Sequence, residues 1–204
     1  MNKEEKFWKW FRDNEEKIFS FDPDDTDSRE KLFHELQVRL QKVHRGLTFE
    51  FGPPDEKKRE FVISADGIKD IFPAVLKLSK RAPDLERWQV IAFRPRRSTI
   101  MPVQINERTI NPDDLQFTLL DNGRIAGIEL FIPGCREDEP VWQQIGYLML
   151  DQALGEFDVE SRLGPIKILP PEAPADGTRY SFLNLAKQFD QLVARLESRS
   201  TEPS

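Results

Sequence analysis

Asn122-Gly123 narrows the possible folds more than any other feature of this chain. It separates two apolar runs, residues 116–121 and 124–132. Asn-Gly between such runs favours the left-handed backbone of a type I′ turn, so the flanking runs are predicted to pair as an antiparallel hairpin. A second hairpin is predicted upstream. There Leu47, Phe49 and Phe51 alternate with Thr48 and Glu50, Gly52-Pro53-Pro54-Asp55 breaks the run, and residues 60–65 return. Residues 87–93 read as a third strand ended by Arg94-Pro95, and residues 101–109 as extended chain. Residues 156–159 and 166–169 read as short strands.

Helical periodicity fills the intervals. A first helix is expected over residues 3–19, with Phe7, Phe11 and Ile18 on one face and Trp8 beside it. A second follows Asp27, which with Glu30 resembles a capping box. Residues 68–81 form a third, with Pro73 in its first turn. Pro140 opens a fourth that Gly155 closes. Ser181 caps a last one, whose stripe is Phe182, Leu185, Phe189, Leu192, Val193 and Leu196. Asn111 is predicted to cap a single turn at Pro112-Asp113-Asp114. Strands that come in hairpins, not in alternation with helices, predict an α+β fold: an antiparallel or mixed sheet with helices mainly on one face. The chain is expected to be one domain over residues 1–204, with residues 98–112 the place where it would subdivide and 198–204 a flexible tail.

Composition bounds the function. With 15 Phe and 4 Trp in 204 residues, the chain can bury enough apolar surface to offset its entropy. A net charge of −6 opposes non-specific binding to nucleic acid or anionic membrane. One cysteine, Cys135, excludes an internal disulfide. No apolar run reads as a signal peptide or membrane span, so a cytoplasmic setting is expected. No phosphate-binding glycine loop, nucleophile elbow or kinase signature occurs. His34 and His44, the only histidines, sit on one predicted helix, which leaves little for a zinc site or a triad. No catalytic residue, metal or cofactor is assigned.

Three segments remain as candidates. Arg94, Arg96 and Arg97 follow a strand and offer guanidiniums to a phosphate or carboxylate; the plain alternative is a solvated loop balancing nearby acids. Glu156, Asp158 and Glu160 would share one face of a strand, either as divalent-metal ligands or an acid and base, or as a polar edge that discourages aggregation. Phe7-Trp8-Lys9-Trp10-Phe11 puts aromatics around most of a helix, so Trp10 is expected to face away from the core as a partner anchor, unless the helix is clasped between two core layers. Cys135, in a turn after Pro133-Gly134, lacks an identifiable base and reads as structural.

The stretch from Phe7 to Glu15, together with Phe49-Glu50-Phe51-Gly52, Ile63-Ser64-Ala65 and Leu154-Gly155-Glu156, resembles bacterial proteins of unknown function. That resemblance implies a bacterial, cytoplasmic setting and carries over no catalytic residue. The leading expectation is a non-enzymatic protein-binding module, an adaptor, regulator or inhibitor with a protein partner. The alternative is an enzyme or binding protein for a small anionic ligand, with the arginines as clamp and Glu156 or Asp158 as base or metal ligand. Nucleic-acid binding ranks third.

Overall fold

Asn2 starts the first helix by a reciprocal cap. Its side chain accepts from the Glu5 N–H, and the Glu5 carboxylate accepts from the Asn2 N–H. In the computed structural model, which describes residues 1–54, 58–105, 107–136 and 138–201, this helix is α1 (Lys3–Asp13). Asn14 interrupts the expected continuous helix, and α2 (Glu15–Phe19) follows. Helix α3 (Thr26–Gln41) begins earlier than predicted, because Asp25 and not Asp27 accepts the Ser28 N–H. Asp27 lies inside the first turn, where its charge favours the helix dipole.

The chain divides into two compact units, Met1–Arg94 and Pro95–Ser204, with the boundary just ahead of the 98–112 window. In the first, β1 (Thr48–Pro54) and β2 (Arg59–Ser64) form the expected antiparallel hairpin, pairing Thr48 with Ser64 and Phe51 with Phe61. Gly52 and Pro53 do not end β1; the register shifts between Phe51 and Pro54 and the strand continues. Asp55, the last residue of the predicted break, lies outside the described residues. Helix α4 (Phe72–Ser79), preceded by a 3-10 turn at Lys69–Ile71, takes Pro73 in its first turn and leads to β3 (Trp88–Ala92). Strand β3 pairs parallel to β2, so the sheet order is β1-β2-β3.

The core of this unit is a mesh of rings. Phe11 lies 4.9 Å from Phe61 and 5.3 Å from Trp88, centroid to centroid, and Phe7 and Trp8 pack on the same Phe61. Edge-on and tilted pairs of this kind add to simple burial. The Trp8 indole N–H donates to the Leu78 carbonyl at 2.9 Å, which ties α1 to α4.

The second unit opens with a small hairpin, β4 (Val103–Ile105) and β5 (Arg108–Ile110), inside the stretch predicted as extended; Asn106 at its bend lies outside the described residues. The single turn at Pro112–Asp114 forms, but the Asn111 side chain reaches the Asp114 carboxylate and not the turn's backbone. Strands β6 (Gln116–Asp121) and β7 (Ala126–Phe131) pair antiparallel as Asn122-Gly123 predicted. The loop has four residues, 122–125, and not two. The Asp121 carboxylate accepts the Gly123 N–H and helps hold Gly123 at a φ of +82°.

Helices α5 (Val141–Leu154) and α6 (Glu156–Arg162) then lead to β8 (Leu163–Leu169), parallel to β7. The predicted strand at 156–159 is therefore a helix. Gly155, at a φ of +85°, turns the chain directly from α5 into α6. Glu156 and Val159, three apart, become buried while Phe157 faces out, which alternation would not allow. A two-residue strand, β9 (Tyr180–Ser181), joins the outer side of β6, giving the order β8-β7-β6-β9. Helix α7 (Leu185–Thr201) and the 3-10 turn Phe182–Asn184 before it bury the whole predicted stripe from Phe182 to Leu196. It also continues into the segment expected to be a tail, of which residues 202–204 lie outside the described residues. Ser181 stands ahead of a 3-10 turn and makes no side-chain cap. The architecture is α+β with mixed and antiparallel sheets. Among the described residues, no helix is long and apolar enough to cross a membrane.

Candidate functional site

The site that the first unit presents is built from residues far apart in sequence. On α1, Lys3 and Phe7, and Lys6 and Trp10, stand four apart, and Lys3 and Lys6, and Phe7 and Trp10, three apart, so the four share one stripe. Facing them, α3 presents Arg39, and Lys42 follows as its C-terminal cap residue. Lys3, Lys6, Arg39 and Lys42 line a cleft of about 370 Å³ over the buried ring of Phe7. None of the described lining residues is acidic. Arg39 stacks 5.3 Å above the Trp10 ring and also leans on Glu35 at 3.8 Å, a distance at which an exposed pair contributes little. Trp10 is half-buried under that guanidinium, while Phe7, Trp8 and Phe11 are buried outright.

Like charges gathered on a concave wall repel one another and focus a positive potential into the cleft. An anionic group entering it relieves that repulsion. Phe7 supplies an apolar floor, with Trp10 packed beside it on the core, so the arrangement suits an acidic segment that also carries an apolar side chain.

In the arginine segment, Arg94 and Arg96 are paired with acids of the chain itself. Arg94 pairs with Glu50 and, at 2.9 Å, with Asp66 of the first unit. Arg96 belongs to the second unit, where it holds Asp190 bidentately at 2.9 and 3.0 Å and Asp158 at 3.5 Å. The hydrogen bond with Asp190, ahead of all other causes, raises the Arg96 pKa above its already high value. The Arg97 backbone N–H donates to the Gln152 carbonyl at 2.8 Å. Arg94 and Arg96 are thus engaged by carboxylates of different units.

The acidic segment is likewise taken up. Glu156 is fully buried; Asp158, on α6, sits between Arg96 and Arg162; Glu160 lies further along that helix. The structure does bring the arginine segment to the acidic one, as the ion pair between Arg96 and Asp158. Cys135 is buried. Among the described residues, no cluster of three His, Cys, Asp or Glu could hold a metal ion.

Two buried carboxylates outside these segments are structural ties. Glu4 accepts from Lys77 at 2.7 Å and faces Arg81 at 3.7 Å. The hydrogen bond from Lys77 leads the causes that hold its pKa below 4.5. Glu129 on β7 receives Lys167 at 2.9 Å and the Asp176 N–H at 2.9 Å. Arg179 adds a stack 3.7 Å from the Phe131 ring, on the face of the sheet opposite Ile128 and Leu130.

The basic cleft escaped sequence reasoning because its cations come as two short pairs, Lys3 with Lys6 and Arg39 with Lys42, more than thirty residues apart in the chain. The only signal pointing toward it was the aromatic excess on α1. Compared with known proteins, the chain matches no family model, no curated protein and no solved structure.

Proposed function

We propose that this protein is a non-enzymatic binding module that captures an acidic segment of a protein partner on the α1–α3 face of its first unit. One observation carries the reading: Lys3, Lys6, Arg39 and Lys42 converge over Phe7 with no acid among the described lining residues, and Trp10 lies beside Phe7 under Arg39. Lysines bring charge and reach, and the tryptophan brings the large apolar contact typical of interface anchors. A role as adaptor, regulator or inhibitor in the bacterial cytoplasm fits such a module.

The test uses the full chain and a fluorescently labelled, capped peptide rich in glutamate with one central leucine, followed by anisotropy at physiological salt. Saturable binding is expected. Reversing two lysines together, Lys6→Glu and Lys42→Glu, should weaken it about tenfold or more. Trp10→Ala should weaken it while circular dichroism and the melting temperature hold. If Trp10→Ala unfolds the protein, Trp10 is a core residue and not an anchor. If the double reversal leaves binding unchanged, the cleft is not the site. Displacement of the peptide by millimolar inorganic phosphate would instead favour a small anionic ligand.

A further inference from the structure

Strand β6 is paired along its whole length on one side only. Toward β7 every residue from Gln116 to Asp121 has a partner. On its other side β9 covers Gln116 and Phe117, after which the chain departs. The Thr118 hydroxyl donates to the Thr178 carbonyl at 3.3 Å, and the Asp176 N–H binds Glu129, whose side chain lies on the sheet face turned away from Ile128 and Leu130. Among the described residues, no strand pairs with Leu119–Asp121 on that side. Such an edge leaves alternate backbone N–H and C=O groups unpaired.

A groove of about 580 Å³ opens beside this edge. Leu119, Asp121 and Tyr180 line it from the sheet, and Lys187, Gln191 and Arg195 line it from α7. Helix α7 runs alongside β6 from the Phe182 N–H, bonded to the Leu115 carbonyl, to Arg199, bonded to Asp121 at 2.7 Å. Arg199 already neutralises Asp121, the one carboxylate among the described lining residues, and the Gly123 N–H also binds it.

Lys187 and Arg195 stand eight residues apart on α7, about 12 Å along the axis. That is too far for both to grip one small anion. It matches four residues of extended chain, about 13 Å, after which a side chain returns to the same face. We propose that this groove binds an extended acidic peptide segment of another protein, which adds as a strand to β6 at Leu119–Asp121 and sets two carboxylates four residues apart against Lys187 and Arg195. Backbone pairing supplies register, and the two cations supply selectivity. This is a second recognition site, in a different unit from the α1–α3 cleft and independent of it.

The experiment uses the full chain and a capped peptide of about nine residues, alternating valine with polar residues and carrying two glutamates four positions apart. Binding is read by isothermal calorimetry, and amide exchange across β6 by mass spectrometry and NMR. The expected result is saturable binding with slowed exchange at Leu119–Asp121. Charge reversal, Lys187→Glu with Arg195→Glu, should lower affinity about tenfold or more. The same double change should spare the glutamate-rich peptide that tests the first unit, whereas Lys6→Glu with Lys42→Glu should spare this one. A peptide of identical sequence with N-methylated backbone on the pairing side should lose binding. Equal binding of the N-methylated peptide would overturn strand addition. Equal competition by inorganic phosphate, self-association through β6 in place of peptide binding, or no binding at all would overturn the proposal as well.

Discussion

The two units share a strand plan and differ in what they bury under it. Each contains a hairpin, then a helical crossover, then a strand parallel to the second hairpin strand: β1-β2-α4-β3 in the first and β6-β7-α5-α6-β8 in the second. No sequence repeat marks this correspondence. The first unit fills its core with interlocking Phe and Trp rings, and the second mainly with Ile, Leu, Val and Met against a few aromatics. Connectivity rules leave few ways to follow a hairpin with a helix, so the same plan can arise over unrelated residues. Side-chain shape is the free variable. Large rings leave parts of α1 and α3 exposed around them as a ringed cleft, whereas the slimmer aliphatic core lets α5 approach β8 closely at Gly146.

If the ring mesh is the keystone of the first unit, Phe61→Ala should be the most damaging single change there. Phe61 is fully buried and touches Phe7, Trp8, Phe11, Phe51 and Trp88. A loss of about 3–5 kcal/mol is expected in urea denaturation, with faster amide exchange in β2. A loss below about 1 kcal/mol would mean that the rings are loosely packed and the contrast between cores is false.

The corresponding break in the second unit is Gly146→Ala. Its new methyl would sit 2.4 Å from Ile168 Cδ1 and 2.9 Å from Cγ1. Because Ile168 is itself buried, the clash should cost about 1–3 kcal/mol despite the better helix propensity of alanine. Adding Ile168→Val should recover part of that loss, and a double mutant no better than the single one would place the crowding elsewhere.

The two buried indoles of the first unit sharpen the comparison further. Trp8 donates to the Leu78 carbonyl, whereas the Trp88 Nε1 is buried without a hydrogen-bond partner among the described residues. Both changes to Phe remove similar volume, so Trp8→Phe should cost about 1–2 kcal/mol more than Trp88→Phe. Equal melting temperatures for the two variants would contradict this.

A smaller effect concerns acid. The folded state holds Glu4 below its ordinary pKa of 4.5, chiefly through Lys77. The stabilisation is therefore present above that value and fades as pH falls through the lower folded pKa. Wild type should exceed Glu4→Gln in stability at neutral pH, and the gap should close in acid. A gap that stays constant with pH in thermal melts would show that Glu4 acts by shape alone.

Helix stripes and hairpins were legible because they rest on local periodicity and turn chemistry. The stripe from Phe182 to Leu196 and the pairing around Asn122-Gly123 needed only neighbours within a few positions. Residues 156–159 were not legible, since four residues of mixed polarity satisfy both periods and the deciding fact was Gly155 turning the chain into α6, which buries its own Glu156 and Val159. The partners of Arg94 and Arg96 were not legible for a related reason. Charge density can be counted from sequence, but the carboxylates that consume it, Asp66 for Arg94 and Asp190 for Arg96, come from elsewhere in the chain.

By itself the sequence determined the α+β class, the order of most elements, the faces they bury and the excess of rings on α1. Those depend on residues within one or two turns of each other, where backbone geometry is nearly constant. The tertiary structure alone decided that β3 and β8 run parallel to their neighbours, that the chain divides after Arg94, and that four scattered cations meet over Phe7. Those outcomes depend on contacts between residues distant in sequence, which only packing selects.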